Sequence, residues 1–307
     1  MENNFFMNLL GIRVDEVTKE QALQKAGEFL NSINQYKIFT PNPEMVVKAQ
    51  KDQYFKQVLN SGDLNLCDGF GLWLATRFHS PSVIPSEPRG DEGSLSLTTT
   101  IMDRDPSLLR RGFGMTKKIE RIVGVDFMLD VCRLTAEQGK RVYLLGSGDD
   151  EVVGKTCEAL QKQFPNLKIS GYNKGPVLQE CFGCHSRQSG NPDNCRLDPH
   201  CDGNDKVIVD EINKSQAEIL FVAFGMGKQE KWIYENLAKM PNVKVAMGVG
   251  GSFDFISGKI NRAPLFLRES GLEWVYRLVQ EPKRIGRIFN ATIKFTFLIL
   301  KMKLWSI

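Results

Sequence analysis

The residue best placed to do chemistry in this chain is Asp68. It ends the apolar run Leu64-Asn65-Leu66-Cys67, and Gly69 and Gly71 precede the helix-like run Leu72-Trp73-Leu74-Ala75. A carboxylate at a strand's end, beside glycines that admit a ligand close to the backbone, suits a general base. The same Asp-Gly pair also suits a plain turn or a helix cap, so its neighbours have to decide. Thr40 and Asn42 follow a second strand-like run, and Asn42 reads as the cap of a helix beginning at Pro43. Gly146-Ser147-Gly148 follows a third; a glycine turn at a helix N-terminus can hold a phosphate through backbone N–H groups and the helix dipole. Gly225-Met226-Gly227 leads into Lys228 and Gln229, whose side chains can reach a polar ligand, and Gly250-Gly251-Ser252 closes the last apolar run. Arg277, Arg284 and Arg287, spaced by seven and three residues, can converge across a helix and turn, and guanidiniums pair well with diphosphate oxygens. Contact with lipid headgroups is the plainer role for them, and the two roles are compatible.

These groups share one architectural address. Strand-like runs at Gly11–Val17, Tyr36–Thr40, Leu64–Asp68, Lys140–Gly146, Lys168–Tyr172, Ala217–Gly225 and Val243–Val249 alternate with amphipathic or capped helical segments. Thr18 and Gln21 form a capping-box pair ahead of Ala22, Ala26, Phe29, Leu30 and Ile33, which share one helix face. A single helix is expected from Pro43 to about Asn60, and Asp126 is expected to cap a helix that Gly139 closes. Repeated strand–helix units imply an α/β fold, a Rossmann-like open, mostly parallel sheet with helices on both faces. Ligands then bind at the carboxyl ends of the strands, where Thr40, Asn42, Asp68 and the glycine turns fall. The α/β catalytic domain is expected over residues 1–262, with a helical C-terminal appendage over 263–307.

Composition supports a sizeable globular core: 307 residues, 42% hydrophobic and 25% charged. The net charge of +4 is mild, and no nucleic-acid partner is implied. Two stretches break the strand–helix rhythm. Residues 79–118 are rich in turn formers and carry Arg104, Arg110, Arg111, Lys117 and Lys118, either solvated or near a phosphate. Residues 178–205 hold Cys181, Cys184, Cys195 and Cys201; the first pair has the Cys-x-x-Cys spacing of zinc sites, and a solvated insertion is the alternative. Met1–Leu10 carries Glu2 and no basic residue, unlike the start of a signal peptide, so a cytoplasmic protein is expected with its seven cysteines as thiols. From Lys283 onward, Lys283, Arg284, Arg287, Lys294, Lys301 and Lys303 alternate with aromatic and aliphatic residues without one carboxylate. That pattern points to an anionic membrane surface.

Seven motifs in series resemble the WecG/TagA/CpsF glycosyltransferases: Thr40-Pro41-Asn42-Pro43-Glu44, Asp68-Gly69-Phe70-Gly71, Arg121-Ile122-Val123-Gly124-Val125-Asp126, Leu144-Leu145-Gly146-Ser147, Phe224 through Trp232, Gly250-Gly251-Ser252-Phe253-Asp254, and Glu273-Trp274-Val275-Tyr276-Arg277. The resemblance spans nearly the whole chain apart from the two insertions. It implies an inverting, metal-independent transferase that moves an N-acetylmannosamine-type sugar from UDP to polyprenyl-diphosphate-linked N-acetylglucosamine at the cytoplasmic membrane face. Asp68 then falls on the family's catalytic base. Thr40, Asn42, Gly69, Arg121, Asp126, Gly146, Ser147, Gln229, Gly250 and Gly251 fall in its substrate-binding motifs. Arg277, Arg284 and Arg287 fall on an appendage that closes over the site, stabilises the leaving diphosphate and supports membrane association. No cofactor and no catalytic metal are implied, since Asp149-Asp150 and Asp103-x-Asp105 lie in turn or insertion contexts. A homo-oligomer is compatible with the sequence. An NAD-dependent oxidoreductase is the competing reading, although Gly146-Ser147-Gly148 lacks the third glycine of the dinucleotide fingerprint. A membrane-peripheral nucleotide-binding module disabled by its insertions is the other.

Overall fold

The computed structural model describes residues 6–78, 119–175, 202–270, 273–280 and 285–305. Both insertions fall almost wholly outside these residues, as do Cys181, Cys184, Cys195 and Cys201. The described chain opens with an antiparallel hairpin of β1 (Phe6–Leu9) and β2 (Ile12–Asp15). After α1 (Lys19–Leu30) come β3 (Tyr36–Phe39), α2 (Pro43–Ala49), α3 (Gln53–Asn60), β4 (Leu64–Asn65) and α4 (Phe70–Phe78). The second half contains α5 (Gly124–Glu137), β5 (Arg141–Gly146), α6 (Asp150–Gln163), β6 (Lys168–Asn173), α7 (Asp202–Ser215), β7 (Ile219–Ala223), α8 (Lys228–Asn236) and β8 (Val245–Gly248). Four helices follow: α9 (Ser252–Ile256), α10 (Leu265–Glu269), α11 (Glu273–Gln280) and α12 (Ile285–Trp305).

β3 to β8 form one six-stranded sheet in the order β4-β3-β8-β7-β5-β6, and every neighbouring pair is parallel. Alternate side chains of each strand feed two cores. Ile38, Leu144, Phe221 and Met247 pack beneath α1, α5, α6 and α9 on one face, whereas Phe39, Leu145, Val222 and Ala246 pack with α7 and α8 on the other. This two-sided burial is what an all-parallel sheet requires, and it explains the near-continuous apolar runs in β5 and β7. A third cluster joins the hairpin, α2, α3 and α4 to Phe295 of α12.

Three expectations change. The helix expected over residues 43–60 is two helices, because the Asp52 side chain accepts from the Phe55 backbone N–H and starts a new one. The Asp68 strand is short, its ladder limited to Leu64 and Asn65. The helix expected to be capped by Asp126 instead begins at Gly124 with Val123 as its uncapped N-cap.

The C-terminal helix α12 carries two apolar faces. Phe295 is buried and Ile299 and Met302 pack with it against the body, while Ile293, Phe297 and Leu300 lie exposed on the opposite side. Spacings of four and three residues put each trio on one face. Among the described residues, no helix is long and apolar enough to cross a membrane. Burying Phe295 stabilises α12 docking by roughly 1.5–3 kcal/mol. Phe295→Ala should therefore speed amide exchange through 292–305 by about tenfold or more, with the sheet unaffected; unchanged exchange there would contradict the packing.

Candidate active site

The parallel register of β3 and β4 pairs Phe39 with Asn65, so the chain beyond each strand emerges on the same edge of the sheet. Backbone bonds carry this alignment past the ladder: Leu66 N–H donates to the Phe39 carbonyl at 2.9 Å, and Asp68 N–H donates to Pro41 at 3.1 Å. Cys67 accepts from Ile122 at 3.0 Å, which draws the segment before α5 alongside. Thr40, Asp68 and the start of α5 thereby meet. A Cβ placed on Gly124 would stand 3.6 Å from Asp68 Oδ2 and 3.6 Å from Thr40 Oγ1. A methyl group there would make ordinary contacts with both, and a larger side chain would crowd them. Gly69 turns at φ +86°, and a Cβ there would approach Pro43 Cδ at 3.3 Å. Asn42 sits beside it, its Oδ1 accepting from Met45 N–H at 3.0 Å as the cap of α2.

The Asp68 carboxyl accepts backbone N–H bonds from Gly69 and Gly124. It therefore acts in part as a plain acceptor for a turn and a helix start. The helix it serves is α5, not α4. Burial nevertheless dominates its titration and pushes it up to about 7; the Glu273 carboxylate adds to this, while Arg121 and the two N–H groups act against it. A carboxylate poised near neutrality suits proton abstraction at physiological pH. The adjacent Cys67 thiol is held protonated by burial, which argues against a cysteine nucleophile here.

Arg121 and Asp126 both tie this rim to the stretch that follows α9. Arg121 Nη2 donates to the backbone carbonyl of Arg268 in α10. Asp126 binds Arg262 through both oxygens, at 2.5 and 3.3 Å. The cap expected of Asp126 is replaced by an ion pair with a residue far along the chain. Arg262 Nε in turn lies 3.8 Å from Glu273 Oε1 at the start of α11. Arg262 and Glu273 are the residues that sequence reasoning missed. Glu273 lay within a recognised motif, but nothing in its spacing announced a second carboxylate near Asp68. Arg277 and Arg287 belong to α11 and α12, with side chains outside the described set, and Arg284 lies wholly outside it.

Gln229 has a defined place beneath the rim. Its Oε1 accepts from Gly250 N–H at 2.9 Å, and its Nε2 donates to Glu230 Oε1 at 2.7 Å. The buried amide thus fixes the Gly250-Gly251 turn to the start of α8. Glu230, fully buried, also accepts from Gly227 N–H at 2.6 Å. The turn at Gly146-Ser147-Gly148 has all three residues at positive φ. Its backbone donors are already engaged, Ser147 N–H with Ala223 and Gly148 N–H with Lys174, both at 3.0 Å. Asp149 caps α6, whose first turn adds Asp150 and Glu151. Engaged N–H groups and clustered carboxylates make this turn a poor phosphate cradle, and they remove the feature on which a dinucleotide-binding reading rested. What Gly146 provides is close packing: a Cβ would come within 2.7 Å of the Ala223 backbone.

Burial pushes the Glu230 carboxyl up to about 7, well above the ordinary carboxylate range near 4.5. The folded chain therefore holds a proton there that the unfolded chain releases. Its stabilising effect is fully present below about pH 4.5 and is lost as pH rises through about 7. The unfolding free energy from denaturant titrations should fall across that window, by an amount on the order of a few kcal/mol, and the fall should be shallower in Glu230→Gln. An equally steep fall in the variant would show that Glu230 does not titrate there.

The family model described as "Glycosyl transferase WecG/TagA/CpsF family" matches residues 7–87 and 107–306. The unmatched stretch lies inside the first insertion. The N-acetylglucosaminyldiphosphoundecaprenol N-acetyl-beta-D-mannosaminyltransferase of Bacillus subtilis (strain 168) is 26% identical over 288 residues, covering 94% of this chain and 85% of the relative. The protein of the same name from Staphylococcus aureus (strain MW2) is 26% identical over 304 residues, covering 98% and 94%. That from Bacillus spizizenii (strain ATCC 23059 / NRRL B-14472 / W23) is 26% identical over 265 residues, covering 86% and 78%. The chain belongs to the WecG/TagA/CpsF glycosyl transferase family.

Proposed function

We propose that this protein transfers an N-acetylmannosamine-type sugar from UDP to polyprenyl-diphosphate-linked N-acetylglucosamine, with inversion and without a catalytic metal. The product would feed teichoic acid or another cell-surface polysaccharide. The observation that carries the reading is the Asp68 carboxyl, half-buried on the sheet's rim between Thr40 and the start of α5. The relatives' names supply the sugars. In the proposed reaction an acceptor hydroxyl gives its proton to Asp68 while its oxygen bonds to the anomeric carbon. The bond from that carbon to the β-phosphate breaks on the opposite face, and its electron pair leaves with UDP. Attack and departure on opposite faces invert the anomeric centre.

The leaving diphosphate needs positive charge, and Arg277, Arg284 and Arg287 are the residues proposed to supply it. Thr40, Asn42, Gly69 and the Gly250-Gly251 turn line the same rim, where donor and acceptor would be oriented. Gln229 serves this arrangement by holding Gly250. The proposed location is the cytoplasmic face of the cell membrane. Ile293, Phe297 and Leu300 are exposed along α12 together with Lys294, a combination suited to an anionic lipid surface.

Purified protein should release UDP from UDP-N-acetylmannosamine only when a short-chain diphospholipid acceptor is present. Asp68→Asn should lower kcat by roughly 10²- to 10⁴-fold without loss of fold. Because a base works only once ionised, kcat/KM should climb about tenfold per pH unit on the acid side and level off above about 7, the value to which burial lifts Asp68. Near-normal turnover by the Asn variant, or a flat profile between pH 5 and 8, would refute the assignment.

A further inference from the structure

Two consecutive residues fasten α11 at both of its ends. Glu273, its first residue, has Oε1 3.8 Å from Arg262 Nε, and Gln280, its last, donates through Nε2 to the Asn261 carbonyl at 3.2 Å. The two tethered residues stand about 10 Å apart along the helix axis, so the tethers set the direction of α11 as well as its place. At about 3.6 residues per turn, Glu273, Arg277 and Gln280 fall within about 60° of arc. Arg277 therefore occupies the face of α11 that the tethers turn toward residues 261 and 262.

Arg262 is anchored in turn. Its Nη1 and Nη2 bind the two Asp126 oxygens at 2.5 and 3.3 Å, the paired geometry in which a guanidinium holds a carboxylate most firmly. Asp126 lies in the first turn of α5, two residues beyond Gly124, where a Cβ would stand 3.6 Å from Asp68 Oδ2. A chain of contacts thus runs from the Asp68 rim through Asp126 and Arg262 to α11. Arg262 and Glu273 are half-buried, so their attraction is screened less than that of a surface pair. Arg262 Nε is buried and has no hydrogen-bond partner among the described residues. Charge therefore holds the Glu273 end of α11, and a hydrogen bond holds the Gln280 end. A further tie, from Arg121 Nη2 to the Arg268 carbonyl, fastens α10 to the same rim.

We propose that Arg262, aided by the Asn261 carbonyl, is a positioning residue for Arg277. It fixes the α11 face that carries Arg277 to the start of α5, beside the base. Arg277 acts on the leaving diphosphate, and Arg262 acts only through it. The inference rests on the diphosphate role proposed for Arg277. A role in stability alone would lower kcat equally whether or not Arg277 is present.

The test is a double-mutant cycle on kcat in the full-length protein, with UDP-N-acetylmannosamine and a short-chain diphospholipid acceptor, alongside amide exchange in α11. A misplacement of about 1 Å can cost about 10²-fold in rate, so Arg262→Gln should lower kcat by roughly 10- to 10²-fold. In an Arg277→Gln background the same substitution should cost less than about threefold, because the group it positions is gone. Arg262→Lys, which keeps the charge without the paired contact, should fall between wild type and Arg262→Gln. Exchange through residues 273–280 should rise about tenfold or more in Arg262→Gln, with the sheet unaffected. Gln280→Ala cuts the other tether at an exposed residue and should show the same coupling to Arg277 in weaker form, so it serves the test if Arg262→Gln does not fold. Equal losses from Arg262→Gln in both backgrounds, or unchanged exchange in α11, would overturn the proposal while leaving Arg277 its role. Normal kcat in Arg277→Gln would instead overturn that role, and this inference with it.

Discussion

The site depends on one half-buried carboxylate that is neither fully satisfied nor fully neutralised. Asp68 accepts two backbone N–H bonds, one from its own turn and one from the start of α5, and both favour the ionised form. Burial opposes them and prevails. Many features of the surrounding fold exist to maintain that balance. β3 and β4 must run in register to bring Thr40 and Asp68 together, Gly124 leaves a small gap beside both, and Gly69 must turn at positive φ. A side chain larger than a methyl group at position 124 would crowd both Thr40 and Asp68.

A second constraint operates on the neighbouring strands. Gln229 and Glu230 form a buried polar pair that pins the Gly227 and Gly250 turns to each other. Buried polar groups of this kind are costly unless every donor and acceptor is matched. Here the matching is done by backbone N–H groups that a loop would otherwise leave to solvent. The glycine turns after β7 and β8 therefore owe their shape to side chains below the rim, while the turn after β5 owes its shape to contact with Ala223.

How far the sequence carried this picture follows from which interactions are local. Strands buried on both faces announce themselves as continuous apolar runs, so β5, β7 and β8 were legible, as was the capping box at Thr18 and Gln21. The β1–β2 hairpin was not, because its turn places Leu10 at φ 54° before Gly11, where asparagine or aspartate would be the usual signal. Asp126 was misread as a cap because its partner, Arg262, is remote in sequence. The same remoteness hid Glu273, whose effect on Asp68 arises only after the appendage folds back. Asp68 itself was legible as a rim carboxylate, but its elevated proton affinity comes from burial that no local pattern encodes.

The central claim is that Asp68 takes the acceptor's proton. Its most direct test is a crystal structure of Asp68→Asn with UDP-N-acetylmannosamine and a short-chain diphospholipid acceptor, a variant that can hold both substrates without turnover. The account predicts the attacking hydroxyl within about 3.2 Å of the side chain at position 68, with the UDP leaving group on the far side of the anomeric carbon. A hydroxyl seated instead on Glu273 or Asp126, with position 68 out of reach, would contradict it.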